Sequence, residues 1–317
     1  MIENGHAGEM SRAQQKEKQG ERLSQVLKRV YEKTRFYQEK FDSSQVRPED
    51  IQSVEDLYKL PFTTKEEVKA VFPYGLLTMP VSGVSHVTVN QGIALCYTQR
   101  DMETWQRLAS RLLAAGEVNG ASVFQLAIDQ EKFRQHIALY NGAMQLGATL
   151  VPAATEDETQ QIQWLRDFGV TALYGEPNYL LDLAHHLKTL GLSPYQLPLK
   201  VIFCSAQWLD EFLRSQLQLE YGVKVQAVYG METLFGMPIA GECHLPNGLH
   251  LQEDAFCGEI IDPVTGEVLP EGMAGELVLT SLLLEAMPVV RYRTGLTAVL
   301  DDTPCSCGQP FVRIKKV

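Results

Sequence analysis

Residues 259 to 295 read EIIDPVTGEVLPEGMAGELVLTSLLLEAMPVVRYRTG. Glu259-Ile260-Ile261 is strand-like, and Pro263-Val264-Thr265-Gly266 has the proline and glycine placement of a tight turn. Upstream, Pro246-Asn247-Gly248 marks a similar turn. The chain after Gly236 is therefore expected to form short strands joined by turns, a small β-rich subdomain spanning 237–317. At the end of the segment Gly295 passes directly to Leu296, with no acidic residue behind Tyr292-Arg293-Thr294-Gly295.

Working outward, the middle of the chain has a different texture. Strand-like runs at Ser122 to Ile128, Ala148 to Pro152, Thr171 to Tyr174, Val201 to Cys204 and Val223 to Val228 alternate with helical stretches at Ile137 to Leu146, Thr159 to Phe168 and Leu209 to Tyr221. Strands separated by helices of this length imply parallel pairing through right-handed crossovers. Residues 21–236 thus read as an α/β body. Toward the N-terminus, Leu23, Val26, Leu27, Val30 and Tyr31 recur at helical spacing, and Ser53-Val54-Glu55-Asp56 predicts the start of a second helix. Residues 1–20 are polar and lack apolar periodicity, as expected of a tail or a helix start.

The 317 residues are 45% hydrophobic and 21% charged, with 28 basic against 39 acidic side chains and a net charge of −11. This balance speaks against a nucleic-acid surface or an anionic membrane as partner. No apolar run is long enough to cross a bilayer and Met1 to Glu21 is polar, so the expected location is cytoplasmic. Six cysteines without a regular framework suit thiols or metal ligands in a reducing compartment.

Several separated stretches carry a resemblance: Thr34-Arg35-Phe36-Tyr37, Leu60-Pro61-Phe62-Thr63-Thr64-Lys65, Leu146-Gly147-Ala148-Thr149, Tyr229-Gly230, Glu253-Asp254 and the segment quoted first. In this order they resemble the phenylacetate-CoA ligases, adenylate-forming enzymes, from about Arg29 to Val317. The resemblance implies the N-terminal body of that fold, parallel sheets with flanking helices. It also implies that the C-terminal lid domain, with its adenylation lysine, is absent or supplied by another chain.

The same resemblance implies a nucleotide site, and this chain departs from its pattern four times. A flexible Ser/Thr/Gly loop ending in Lys, whose N–H groups wrap the leaving pyrophosphate, would fall within His86 to Thr98. Here that span offers only Val89-Asn90-Gln91-Gly92-Ile93-Ala94-Leu95-Cys96-Tyr97-Thr98, several residues shorter, with one glycine and no lysine. The pattern Tyr-Gly-x-Ser/Thr-Glu becomes Tyr229-Gly230-Met231-Glu232-Thr233, the hydroxyl and the magnesium carboxylate interchanged. Glu232 could equally be a turn cap. An acidic residue near the adenine is replaced at Cys204-Ser205-Ala206, and the ribose aspartate after Gly295 by Leu296. The expectation is a vestigial nucleotide or substrate cleft at Tyr229, Gly230, Glu232, Thr233, Asp254 and Arg293, no catalytic residue, and no binding of ATP or magnesium.

Cys305-Ser306-Cys307-Gly308 lets two thiolates face one ion, and Cys243 and His250 flank the Pro246-Asn247-Gly248 turn. Cys₃His matches structural zinc. His244 could replace His250, and the plain alternative is two thiols with an unrelated Cys and His. Some relatives in the resembled family carry a similar set. Cys257 is a poorer ligand, and Cys96 and Cys204 are expected to be buried small hydrophobes. His185-His186 reads as surface or packing, and neither a Gly-x-Ser-x-Gly elbow nor a Gly-x-Gly-x-x-Gly fingerprint is present.

Two expectations of different class remain. One is a non-catalytic or repurposed protein that binds a small carboxylate, a thioester, a protein partner or a second copy of itself. The other is a carboxylate-CoA ligase whose nucleotide site is atypical or completed by a partner.

Overall fold

The computed structural model describes residues 11–90, 92–128, 130–152, 157–207, 209–230, 235–236 and 238–316. The chain divides into two compact units, one running up to Thr104 and resuming at His250, the other Trp105–Leu249.

The first unit opens with α1 (Arg12–Lys33) and α2 (Arg35–Ser43). The helix begins well before the apolar repeat at Leu23. Ser11 and Gln14 form a reciprocal capping box, and the buried Gln19 donates from Nε2 to the carbonyls of Glu253 at 2.8 Å and Phe256 at 3.3 Å. Of the tail or helix start expected here, residues from Arg12 onward are helix, and a buried glutamine bonded to backbone explains why no apolar periodicity marks those turns. Leu23, Val26, Leu27 and Val30 form the buried stripe. Thr34 ends one helix and starts the next, its Oγ1 donating to Val30 O at 2.7 Å and accepting from Tyr37 N at 3.3 Å.

The helix expected from Ser53 is a six-residue 3₁₀ turn, Val54–Lys59. Pro61 forces Leu60 into extended backbone at ψ 146° and stops it. After α3 (Lys65–Ala70) come β1 (His86–Asn90) and β2 (Ile93–Tyr97), paired antiparallel. The helix α4 (Gln99–Ala115) then carries the chain into the second unit.

That unit is a mixed sheet with helices between its strands: β3 (Val123–Ala127), α5 (Gln130–Gln145), β4 (Thr149–Leu150), α6 (Glu158–Asp167), β5 (Ala172–Gly175), α7 (Pro177–Thr189), β6 (Val201–Ser205), α8 (Glu211–Tyr221), β7 (Lys224–Tyr229) and β8 (Ala240–Gly241). The order is β8-β7-β6-β5-β3-β4. All neighbours are parallel except β8, which runs antiparallel to β7. The sequence predicts this pattern because β5 and β6 are apolar on both faces and fully buried. Gly222, at φ +66°, closes α8 with its N–H on Gln218 O at 2.9 Å.

From β9 (Leu249–Leu251) the chain is in the first unit again, with β10 (Phe256–Ile261), β11 (Gly275–Ser281), β12 (Tyr292–Asp301) and β13 (Arg313–Lys316). These strands pair antiparallel from β10 through β13, and Leu251 N donates to Val312 O at 2.9 Å. The turn expected at Pro263 to Gly266 is present, Asp262 Oδ1 accepting from Val264 N at 2.8 Å and Thr265 N at 2.9 Å. Among the described residues no helix is long and apolar enough to cross a membrane.

Candidate functional site

In the first unit, β1 and β2 pair in register from His86↔Tyr97 to Asn90↔Ile93. Two residues, Gln91 and Gly92, remain between the last paired positions. Gly92 has φ +79°, the backbone region a two-residue hairpin turn needs and glycine reaches without strain. The span where a phosphate-wrapping loop was sought is a hairpin. Gln91 lies outside the described residues.

Just beyond it, the fully buried Asp101 accepts N–H groups from Thr98 at 2.9 Å, Glu285 at 2.7 Å and Ala286 at 3.1 Å. It thereby ties the start of α4 to the middle of the segment quoted first. Burial lifts its carboxyl above the ordinary range, although the backbone donors pull the other way.

The Tyr-Arg-Thr-Gly run forms a bulge in β12. Pairing with β11 steps from Val278↔Arg293 to Glu276↔Thr297, so Leu277 alone faces the three residues Thr294, Gly295 and Leu296. Gly295, at φ +70°, provides the bend. Glu276 organises it: its carboxylate accepts Arg293 Nε at 2.9 Å and Gly295 N at 3.0 Å. Arg293 also donates to Pro263 O at 2.8 Å. Leu296, which follows Gly295, has its N–H on Thr294 Oγ1 at 3.1 Å. Asp254 is buried, and its backbone carbonyl accepts from Arg22.

Sequence reasoning passed over the neighbouring Arg291. Its buried guanidinium takes both oxygens of Glu259 at 3.0 Å each, donates to Leu60 O at 2.6 Å and Tyr58 O at 3.1 Å, and lies 4.1 Å from the Phe62 ring centroid. The only hint was the coincidence of Leu60-Pro61-Phe62 and Arg291 among the recognisable stretches. Burial pushes the Glu259 carboxyl up against the pull of Arg291.

In the second unit, Tyr229 and Gly230 stand at the carboxyl end of β7, where ligands of parallel sheets collect. Tyr229 pairs with Ala240 and accepts Ile239 N at 2.8 Å. Gly230 has φ +121°. Beside them at the end of β6, the buried Ser205 accepts from Gln207 N at 3.3 Å, and Ala206 N donates to Val228 O at 2.7 Å. Glu232 and Thr233 lie outside the described residues, so the interchange of hydroxyl and carboxylate stays a fact of sequence. His186 pairs with Glu158, 3.4 Å from Nδ1, in a helix-to-helix contact between α7 and α6.

The third candidate is a Cys/His group that could hold a metal. Within the first unit, His250 on β9 and Cys305 and Cys307 in the turn before β13 place their ligand atoms within 4.8 Å of one another. Gly308, at φ +83°, lets the backbone turn beneath the thiols. His250 Nδ1 donates to Phe311 O at 3.2 Å, which leaves the Nε2 lone pair toward Cys307 Sγ at 3.5 Å. Burial depresses the His250 pKa, favouring the neutral ring that ligates metals. In the second unit, Cys243 is buried, and its thiol accepts Leu245 N at 3.4 Å. Cys307 accepts Gln309 N at the same distance and spacing. All six cysteines are in the thiol form. Cys96, Cys204 and Cys257 are buried, and burial alone (Cys96) or as the leading cause (Cys204, Cys257) pushes their thiols up.

No protein-family model matches the chain. Phenylacetate-coenzyme A ligase of Pseudomonas putida is 36% identical over 306 residues, 94% of this chain and 68% of that protein. The protein of that name from Thermus thermophilus is 33% identical over 302 residues, 93% and 68% of the two chains. The chain therefore spans about two thirds of these relatives. Among solved structures, 2-hydroxyisobutyryl-CoA ligase in the postadenylation state with R3-HIB-AMP matches with a TM-score of 0.89 and 23% identity, over 97% of this chain and 68% of that one. At that identity the likeness shows the fold alone.

Proposed function

The chain belongs to the phenylacetate-CoA ligase family, and from that premise we propose that it is a non-catalytic or repurposed member, which binds a small carboxylate or thioester or serves a protein partner. One observation carries the reading: β1 and β2 stay paired through Asn90↔Ile93. Wrapping a pyrophosphate takes several backbone N–H groups from one open loop, and two residues between paired strands do not provide them. Losing one transition-state donor costs roughly two to three decades in rate. The replaced ribose aspartate and the interchange at Glu232 and Thr233 point the same way.

A second reading is a carboxylate-CoA ligase with an atypical or partner-completed nucleotide site. It is favoured by the 36% identity to a protein bearing that activity in its name. Titration calorimetry of the purified chain with ATP and magnesium separates the two. No heat of binding is expected, and a micromolar dissociation constant would overturn the first reading and promote the second.

The Cys/His group is, in the same proposal, a structural zinc site with Cys243 as fourth ligand beside His250, Cys305 and Cys307. The support is the donor set, the neutral imidazole held by Phe311, and the matching N–H···S bonds at Cys243 and Cys307. Three thiolates and one imidazole fill a tetrahedron and leave no place for an activated water. Such a site suits a chain kept in a reducing compartment.

A further inference from the structure

The first unit holds a cavity of about 250 Å³ beside β10, the terminal strand of its sheet. Only β11 pairs with β10 as a strand, so the other edge of β10 carries N–H and C=O groups that β11 does not use. Leu282 N donates to Ala255 O at 2.8 Å, which fixes the alternation: Cys257, Glu259 and Ile261 bond to β11, and Phe256, Gly258 and Ile260 face outward. The outward carbonyl of Phe256 accepts Gln19 Nε2 at 3.3 Å, and that of Ile260 accepts Leu269 N at 2.8 Å. Gly258, between them, has no partner for either outward group among the described residues.

Gly258 is also the one residue of β10 that is not buried. A Cβ on it would stand 3.1 Å from Leu251, 3.5 Å from Leu300 and 3.7 Å from Leu277, so its side-chain face is filled and the surface that remains is the backbone edge lining the cavity. An unpaired strand edge is a template for an incoming chain. Here the length is limited, because the capped carbonyls of Phe256 and Ile260 are only about 13 Å apart at the rise of an antiparallel strand. A strand running through would meet Gln19 at one end and Leu269 at the other, whereas the end of a chain fits. Charge at the rim selects which end. Arg12 and Lys16 of α1 are neutralised by Glu253 at 2.5 Å and Glu55 at 2.9 Å. Glu271 and Asp302, both exposed, have no ionic partner among the described residues. Two such carboxylates attract an ammonium and repel a terminal carboxylate.

We propose that this cavity binds the amino-terminal residues of an extended peptide, with the free ammonium at Glu271 and Asp302 and the second residue paired to Gly258. The N–H of that residue donates to Gly258 O, and its carbonyl accepts Gly258 N–H. The site uses none of the residues of the nucleotide reading and does not depend on whether ATP binds.

Titration calorimetry with trialanine amide, its N-acetylated form and its form methylated on the nitrogen of the second residue tests it. The free amine is expected to bind most tightly, and acetylation, which removes the charge, or methylation, which removes the donor to Gly258, to weaken binding by about tenfold each. The Glu271→Gln, Asp302→Asn double variant, changed at two exposed positions, is expected to weaken the free amine by about tenfold and leave the acetylated form as it was. Amide hydrogen exchange read by NMR gives a direct signal at the edge itself. In the free protein the Gly258 amide is expected to exchange faster than those of Cys257 and Glu259, and saturating peptide to slow it about tenfold. The proposal is overturned if the free amine does not bind at millimolar concentration, if either modified peptide binds as well, or if bound peptide leaves exchange at Gly258 unchanged.

Discussion

Arg291 shows how much one side chain can fix. Four of its five donors serve Glu259 and two backbone carbonyls, and its plane covers Phe62. Removing one member of a buried pair leaves the other charge without compensation, typically at about 3–5 kcal/mol. Arg291→Met is expected to lower the unfolding free energy by that much, read as a lower urea midpoint. The Arg291→Met, Glu259→Leu double variant should recover most of it, because the uncompensated carboxylate is gone. Asp301 gives the pH counterpart. Burial opposes its charge, but bonds to Lys315 and Thr303 and the nearby Arg313 outweigh this and hold its carboxyl far below the usual range. A depressed carboxyl contributes stability that is present above its unfolded pKa of about 3.9 and lost as pH falls toward the folded value. Urea unfolding of the wild type and Asp301→Asn should therefore differ at pH 7, with the gap narrowing progressively as pH falls below about 4 toward the depressed folded value. A gap as large at pH 2 as at pH 7 would remove the role assigned to the charge.

At the scale of the element, the hairpin β1–β2 decides the reading of the nucleotide side. All five residues of β2 are buried, so its register is set by packing and does not depend on the turn. A turn of this kind should accept extra chain. Six Ser and Gly residues inserted between Gln91 and Gly92 quadruple the loop, and closure entropy rises by only about 0.6 kcal/mol per doubling. The expected loss is thus about 1.2 kcal/mol, read from thermal or urea unfolding. A collapse of the fold on insertion would show that the tight turn itself holds the strands in place. The element scale also explains why α1 begins at Arg12: its polar first turns are fastened by Gln19 and by Arg12 on Glu253, not by apolar contacts.

For the whole molecule, the test of the proposed zinc is made on the full chain. Protein purified without chelator should carry one zinc, and Cys305→Ser should lose it and lower the melting temperature, because metal bound only by the folded state stabilises that state. Negligible zinc in such preparations, or an unchanged melting temperature and zinc content in the variant, would remove the ion from the account. The same measurement on Cys257→Ser serves as control. That thiol is buried away from the His250, Cys305 and Cys307 group and should leave the zinc content unchanged.

The sequence by itself determined the class of fold. Alternating apolar runs and helical stretches from Ser122 to Val228 specify parallel strands with crossovers, and the Pro and Gly turns after Gly236 specify short antiparallel strands, because both signals are local periodicities. It also placed Cys305, Cys307 and His250 as a set, since thiols and imidazole announce their chemistry. Only the tertiary structure decided that Arg291 closes on Glu259, that Glu276 shapes the bulge at Gly295, and that Gln19 and Leu269 leave the edge at Gly258 open beside a cavity. Each of these joins residues distant in the chain. Their partners are chosen by burial, where an unpaired charge or acceptor is costly, and no spacing along the sequence records that choice.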